Sequence, residues 1–113
     1  MMHTDLAVWK QSIALVKLVY RITADFPESE KFGLVSQMRR CAVSIPSNIA
    51  EGAARDSSRE FVRFLTIAIG SLAELETQLF ISSELGFSTD SEPVVMIEQV
   101  RKLLFGLKRS VNK

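Results

Sequence analysis

Few residues of this 113-residue chain have the types and spacing that catalysis or metal binding requires. The chain has one histidine, His3, and one cysteine, Cys41. A di-metal helical bundle needs a Glu-x-x-His pair on each of two helices, and zinc sites need clustered His and Cys ligands. No glycine-rich phosphate loop is present, because Gly70 stands alone. We therefore expect no enzyme, cofactor or metal, and we expect Cys41 to fill the core.

The basic residues are the other groups that could carry a function, by binding anions, and they are unevenly distributed along the chain. Fourteen Lys and Arg against thirteen Asp and Glu leave a net charge of +1, which excludes a protein that binds polyanions through its overall charge. Residues 64–100 contain six acids and no Lys or Arg, whereas residues 101–113 contain five bases and no acid. The position of these segments in the fold therefore decides whether a basic surface exists.

Helical periodicity fills the chain around its three prolines, at positions 27, 46 and 93. Apolar residues repeat every three or four positions, which indicates amphipathic helices at about 5–25, 33–51, 57–85 and 91–111. With short connections, these predict an all-α, antiparallel up-down-up-down four-helix bundle that forms one domain over residues 1–113. Pro46 lies inside the second helix and predicts a kink near residues 42–46. Gly52 and Gly86 are placed to end helices two and three.

Folding the charges onto this bundle predicts a basic end. The end that holds both termini and the turn between helices two and three has nine bases against four acids, a net charge of +5. The opposite end has five bases against nine acids, a net charge of −4. An ordinary solvated surface would also carry such charges, and Trp9, Phe61 and Phe64 fall on packing stripes. Our hypothesis is that the basic end binds RNA or DNA phosphates, with seven candidate residues: Arg55, Arg59, Arg63, Arg101, Lys102, Lys108 and Arg109.

Small polar residues inside the helices form a second anomaly, because they lower helix propensity. Ser44, Ser47 and Asn48 flank Pro46, and Gly70 with Ser71 sits in the middle of helix three. We expect a polar seam at which two helix backbones approach closely, joined by Asn48, Glu51 and Glu74. A ligand or partner site there is the alternative. Two apolar stripes on helix one leave more hydrophobic surface than a monomer needs, which predicts a homo-oligomer.

Residues 37–52, which read QMRRCAVSIPSNIAEG, resemble the four-helix bundle family of 23S rRNA-intervening-sequence proteins. Residues 6–10 (LAVWK), 26–34 (FPESEKFGL) and 61–75 (FVRFLTIAIGSLAEL) are similar to the same family. The resemblance spans about residues 6–87, and the fourth helix matches only in general character. The positions that carry it are not those of a catalytic motif, and we interpret them as structural: Ser44, Pro46, Asn48, Glu51, Gly52, Gly70, Ser71 and Glu74.

The resemblance implies an up-down bundle that assembles into a ring-like homo-pentamer. The genes of such proteins are often found within insertions in bacterial large-subunit rRNA genes. The family is similar to the accessory variability determinant of diversity-generating retroelements, a basic pentamer that binds a reverse transcriptase and nucleic acid. The near-neutral chain departs from that relative. Two functions follow as expectations: an accessory protein acting with RNA, DNA or a reverse-transcriptase-like partner, or an oligomeric scaffold that recognises only protein. Without an evident signal peptide or a long apolar run, we expect a cytoplasmic protein that contacts no membrane.

Overall fold

The structure, a computed structural model, describes residues 3–112 and contains four long helices. A 3-10 turn at His3–Asp5 leads into α1, and a second 3-10 turn at Glu28–Glu30 joins α1 to α2. The helices are α1 (Ala7–Thr23), α2 (Leu34–Ala53), α3 (Ser58–Glu84) and α4 (Glu92–Val111). No strand occurs between residues 3 and 112. The prediction of an all-α, four-helix fold is confirmed.

Each helix packs against two neighbours, in the ring order α1, α2, α3, α4 and back to α1. Contacts between α2 and α3 run in opposite directions along the sequence, since Met38 meets Ser82 whereas Gly52 faces Phe64. The end of α1 likewise meets the start of α4 through an ion pair between Arg21 and Glu92. The bundle measures 44 × 24 × 20 Å. Different helix termini therefore lie at its two ends, and this arrangement determines where the charged side chains lie.

One continuous apolar core fills the centre of the bundle. Its largest members come from all four helices and are fully buried: Leu15, Met38, Ile45, Leu65, Leu72, Ile97 and Leu104. Cys41 belongs to the same cluster and is 6% exposed, which confirms its predicted place in the core. Burying a side chain of this size contributes roughly 1.5–3 kcal/mol, so the stripes predicted from periodicity supply most of the stabilisation.

The second helix differs from expectation at Gly52. We predicted that Gly52 ends the helix, but α2 continues to Ala53, and the one glycine with a left-handed φ among the described residues is Gly86. Gly52 is instead a contact point, because an added Cβ would lie 2.8 Å from Phe64 Cβ and 3.0 Å from Phe61 Cδ1. Pro46 is buried inside the same helix. The kink predicted there stays a prediction.

The third helix has the ends that its sequence indicates. Ser57 Oγ accepts a hydrogen bond from the backbone N–H of Glu60 at 3.0 Å, which caps the first turn. At the other end Gly86 has φ 77°, and the N–H of Phe87 bonds the carbonyl of Ser82 at 2.9 Å. This is the hydrogen-bond pattern of a left-handed glycine stop. The bounds of α3 are thus determined by local signals.

By length and composition alone, α3 is also apolar enough to cross a membrane, with a mean hydropathy of 1.4 over its most apolar stretch. The core helix of a soluble bundle has the same composition, and a third of that stretch is buried inside this bundle. Its fully buried Leu65, Leu72 and Leu75 belong to the common core. The hydropathy of α3 is therefore weak evidence for a membrane span.

Candidate nucleic-acid interface

Two of the predicted arginines lie over one aromatic ring where α2 passes into α3. The guanidinium carbon of Arg63 lies 4.6 Å from the centroid of the Phe64 ring, and that of Arg55 lies 5.1 Å away. The ring itself is 6% exposed, as expected for a packing residue. Gly52 lets the Cβ of Phe64 approach the backbone of α2 closely, which brings this residue to the start of α3 against the end of α2. The buried ring forms a base beneath two partly exposed cations.

Carboxylates accompany both arginines. Arg55 pairs with Glu51 at 3.3 Å, and Arg63 makes two bonds to Glu60, at 3.2 and 3.3 Å. The hydrogen bond from Arg63 lowers the pKa of the Glu60 carboxyl, so this acid is ionised at neutral pH. All four side chains are substantially exposed, and ion pairs exposed to this extent contribute little to stability. Arg59 lies between them in sequence and is exposed as well.

The basic residues of α4 divide into two groups. Lys102, Lys108 and Arg109 lie in its second half, and the last two occupy its final turn. This end of α4 lies beside the start of α1, because Leu6 and Leu107 line one small recess. The bundle therefore places Lys108 and Arg109 at the same end as the arginines of α3, whereas Lys102 directly follows Arg101 near the middle of α4 and lines the recess beside the start of α1.

Arg101 does not join the other candidates. Its guanidinium bonds Glu76 of α3 at 2.7 Å and Glu98 of α4 at 3.3 Å, and its side chain is 25% exposed. It therefore bridges the middle of the α3–α4 pair, away from the basic end. The structure places five of the seven residues predicted to bind phosphate at one end of the bundle, puts Lys102 near the middle of α4, and gives Arg101 a structural contact with two glutamates.

The predicted polar seam lies between α2 and α3. Ser44 Oγ lies 2.6 Å from Ser71 Oγ and 3.0 Å from the carbonyl oxygen of Cys41, while the thiol of Cys41 donates to the carbonyl of Ser71 at 3.0 Å. Asn48 Nδ2 donates to the carbonyl of Ser44 at 2.7 Å. Burial, followed by the nearby Glu74 carboxylate, raises the pKa of the Cys41 thiol from 9.0 to about 11. Hydrogen bonds within the protein thus pair these polar groups of the seam.

Three other seam predictions have different outcomes. Glu74 lines a cavity of about 200 Å³ beside Cys41 and Ser71, as expected of a seam residue. Glu51 points to Arg55 instead of joining the seam. Gly70 was expected to allow a close approach of helix backbones. This is wrong within one chain, because no described atom of another helix lies within 4 Å of a Cβ added there. No group of three potential metal ligands occurs between residues 3 and 112.

Sequence reasoning missed a second basic cluster, in the half of the molecule predicted to be acidic. Lys31, Arg39 and Arg40 line a cavity of about 520 Å³ together with the exposed rings of Tyr20 and Phe32. Arg39 stacks over Tyr20 at 4.4 Å and donates to the carbonyl oxygen of Tyr20 at 3.2 Å. Counting charges over half a bundle concealed this cluster. The sequence signals that could have revealed it are two adjacent pairs, Lys31 with Phe32 and Arg39 with Arg40.

Comparisons with known proteins agree with this architecture. The sequence model of the 23S rRNA-intervening sequence proteins matches residues 4–109. The chain is also similar to a solved structure from Bacteroides thetaiotaomicron VPI-5482, a protein of unknown function from the S23 ribosomal protein family. That similarity has a TM-score of 0.79 at 22% identity and covers 96% of this chain and 99% of the other. At this identity it shows the fold alone. No curated protein matches the sequence.

Proposed function

The chain belongs to the 23S rRNA-intervening sequence protein family, and we propose that it is a non-enzymatic, homo-oligomeric accessory protein that binds RNA or DNA phosphates through its basic end. The observation that carries this proposal is the pair of guanidinium groups held over Phe64 by Arg55 and Arg63. An arginine whose plane is already positioned loses less side-chain entropy when it binds a phosphate, and its fork of N–H donors matches the phosphate oxygens.

The carboxylates beside these arginines do not block such binding. Both ion pairs are exposed, so each is weak and can open when the closely spaced phosphates of a nucleic acid, each with one negative charge, compete with the carboxylate. Arg59, Lys108 and Arg109 add exposed or half-exposed positive charge at the same end of the bundle, and Lys102 adds an exposed charge nearer the middle of α4. Phosphate contacts of this kind carry no sequence information, so we expect binding with little preference for base sequence.

Assembly into a ring would multiply this surface. We infer a homo-oligomer, with five copies as the number that the family resemblance implies, so that a modest charge on each chain becomes a broad basic face. A reverse-transcriptase-like protein is a further proposed partner, by likeness to the accessory variability determinant of retroelements. We place the protein in the cytoplasm, without membrane contact.

A specific observation favours the alternative, an oligomeric scaffold that recognises only protein. Arg55, Arg63 and Arg101 each have a carboxylate partner, so the basic end carries less free charge than the sequence predicts. Large apolar side chains are exposed elsewhere on the bundle, among them Phe80 and Val94, at 66% and 65%. Under this alternative the protein binds a partner and no nucleic acid.

Fluorescence anisotropy with labelled single- and double-stranded RNA and DNA separates the two functions. We expect binding at about 50 mM salt that weakens by orders of magnitude toward about 200 mM, because each neutralised phosphate releases counterions. The triple variant Arg55→Glu/Arg59→Glu/Arg63→Glu is expected to abolish this binding. Absence of salt-dependent binding at about 50 mM would reject the nucleic-acid function and leave the scaffold.

A further inference from the structure

Two apolar grooves lie on opposite sides of the bundle, both in its acidic half. The first runs between α1 and α2, has a volume of about 520 Å³ and contains Tyr20, Phe32 and Val43. Phe32 is 90% exposed, the highest exposure of any large apolar side chain among the described residues. An aromatic ring left in water to this extent loses the free energy that burial would give it. We refer to this feature as the α1–α2 groove.

The second groove lies between α3 and α4 and has a volume of about 420 Å³. Phe80 and Val94 project from its walls with exposures of 66% and 65%, and Leu79 and Pro93 contribute to the lining. We refer to it as the α3–α4 groove. In the ring order of the helices, the α1–α2 pair stands opposite the α3–α4 pair. The two grooves therefore face away from each other.

The charges around the two grooves have opposite signs. Lys31, Arg39 and Arg40 line the α1–α2 groove, and none of the three takes part in an ion pair within residues 3–112. Arg39 is anchored through neutral acceptors, Tyr20 O and Thr23 Oγ1, so it keeps its full charge.

The rim of the α3–α4 groove is acidic. Glu76 and Asp90 line this groove. Glu76 and Glu98 share the single guanidinium of Arg101, which leaves that trio with one excess negative charge. Asp90 adds another, because its carboxylate accepts only the backbone N–H of Glu92, at 2.9 Å, among the bonds of the described chain.

We propose that these grooves are the two halves of one contact, in which the side chains lining the α1–α2 groove of one copy pack against those lining the α3–α4 groove of the next. Apolar surface in both grooves supplies the area to be buried, and the charges of opposite sign set orientation and suppress the pairing of like grooves. The proposal rests on the homo-oligomer of the proposed function and goes beyond it by naming the two faces.

Such a contact is heterologous, since different surfaces meet, and contacts of this type generate closed rings when the rotation between copies closes. Both grooves lie in the same half of the bundle, so neighbouring copies would stand side by side. Their basic ends would then share one face of the ring. The competing occupant is a single-stranded nucleic acid with a base stacked on the exposed ring of Phe32. That occupant gives no role to the acidic groove on the opposite side of the bundle.

Two variants that each block one groove test the pairing by light scattering at micromolar concentration. Phe32→Asp/Arg40→Glu blocks the α1–α2 groove, and Phe80→Arg/Val94→Arg blocks the α3–α4 groove. We expect each variant alone to have the monomer mass of 12.7 kDa. An equimolar mixture should associate again, to at least a 1:1 complex of twice that mass, because each variant keeps the groove that the other lacks. Pairing of like grooves would instead leave each variant able to associate with itself.

The control is Gln99→Arg, an exposed α4 residue that lines neither groove, which should keep the mass of the unmodified protein. Far-ultraviolet circular dichroism checks the fold, and the milder Phe32→Ser and Phe80→Ser replace any double variant that unfolds. The pairing is overturned if either blocked variant keeps the unmodified mass, or if the mixture stays monomeric.

A Phe32 variant that loses RNA binding but keeps the mass of the unmodified protein identifies nucleic acid as the occupant of the α1–α2 groove. A monomeric unmodified protein would reject the oligomer altogether, while salt-dependent RNA binding by that monomer would leave the basic-end function standing.

Discussion

At the scale of single residues, the candidate interface depends on a contact that holds an aromatic ring in place. Phe64 carries two arginines on its exposed side, and its Cβ would lie 2.8 Å from a Cβ at position 52. Only glycine fits there without displacing Phe61 or Phe64. The position of the guanidinium groups is thus linked to a backbone contact between α2 and α3.

A pair of glycine substitutions tests that contact. Gly52→Ala should destabilise the fold by about 1–3 kcal/mol, because the added methyl group overpacks the α2–α3 contact. Gly70→Ala is the matched control, since Gly70 also lies inside a helix but has open space around it. Its expected effect is a stabilisation of about 0.5–1 kcal/mol from higher helix propensity. Urea unfolding measures both, and a stabilising Gly52→Ala would contradict the close approach.

The buried thiol of Cys41 should make stability depend on alkaline pH. Its pKa is about 11 in the folded protein against 9.0 for an exposed thiol, so the unfolded chain loses this proton first. Deprotonation therefore favours unfolding. The contribution of the buried, protonated thiol to the free energy of unfolding is complete below pH 9 and is lost as the pH rises through about 11. We expect the unfolding free energy to fall more steeply over this range than in Cys41→Ala, which shares every other titrating group. Parallel curves for the two proteins would contradict the buried thiol.

At the scale of secondary-structure elements, α3 presents the candidate arginines, and its first turn positions them. The Ser57 cap satisfies the backbone N–H of Glu60, whose side chain then reaches Arg63. Fraying of this turn would release both Arg59 and Arg63 from their positions. The cap therefore contributes to the site as well as to the helix.

Removing the cap should lower stability and loosen the arginines together. Ser57→Ala is expected to cost about 0.5–2 kcal/mol, the usual range for a lost cap. Ser58→Ala changes the next residue along the chain, which is exposed, and should stay within about 0.5 kcal/mol of the unmodified protein. Thermal unfolding followed by circular dichroism compares the two. Equal losses from both variants would contradict a specific role of Ser57.

Local signals explain why the elements were predictable and some site contacts were not. The three- and four-residue spacing of apolar side chains, the Ser57 cap and the Gly86 stop depend on neighbours in sequence. The pairing of Arg101 with Glu76 depends on how α3 and α4 are aligned, which no local pattern specifies. Gly52 was misread for the same reason, because its partner, Phe64, belongs to another helix.

At the scale of the whole molecule, side chains and not helix dipoles must supply the positive potential of the basic end. The starts of α1 and α3 and the ends of α2 and α4 meet there, so positive and negative dipole ends largely offset each other. Part of the predicted charge is also paired with carboxylates. A single chain should therefore bind nucleic acid weakly, and aligned copies should bind more strongly.

The measurement that tests the central claim most directly compares two charge-matched variants in the RNA anisotropy assay at about 50 mM salt. Arg59→Gln/Arg63→Gln removes two charges from the basic end, and Lys17→Gln/Arg21→Gln removes two from the opposite end. Each pair includes one arginine that is ion-paired with a glutamate, so the variants match in that respect too. We predict that the first variant loses most of the affinity, with a salt slope smaller by about 2 for each bound chain, while the second binds like the unmodified protein. Equal loss in both variants, or no loss in the first, would contradict a phosphate-binding basic end.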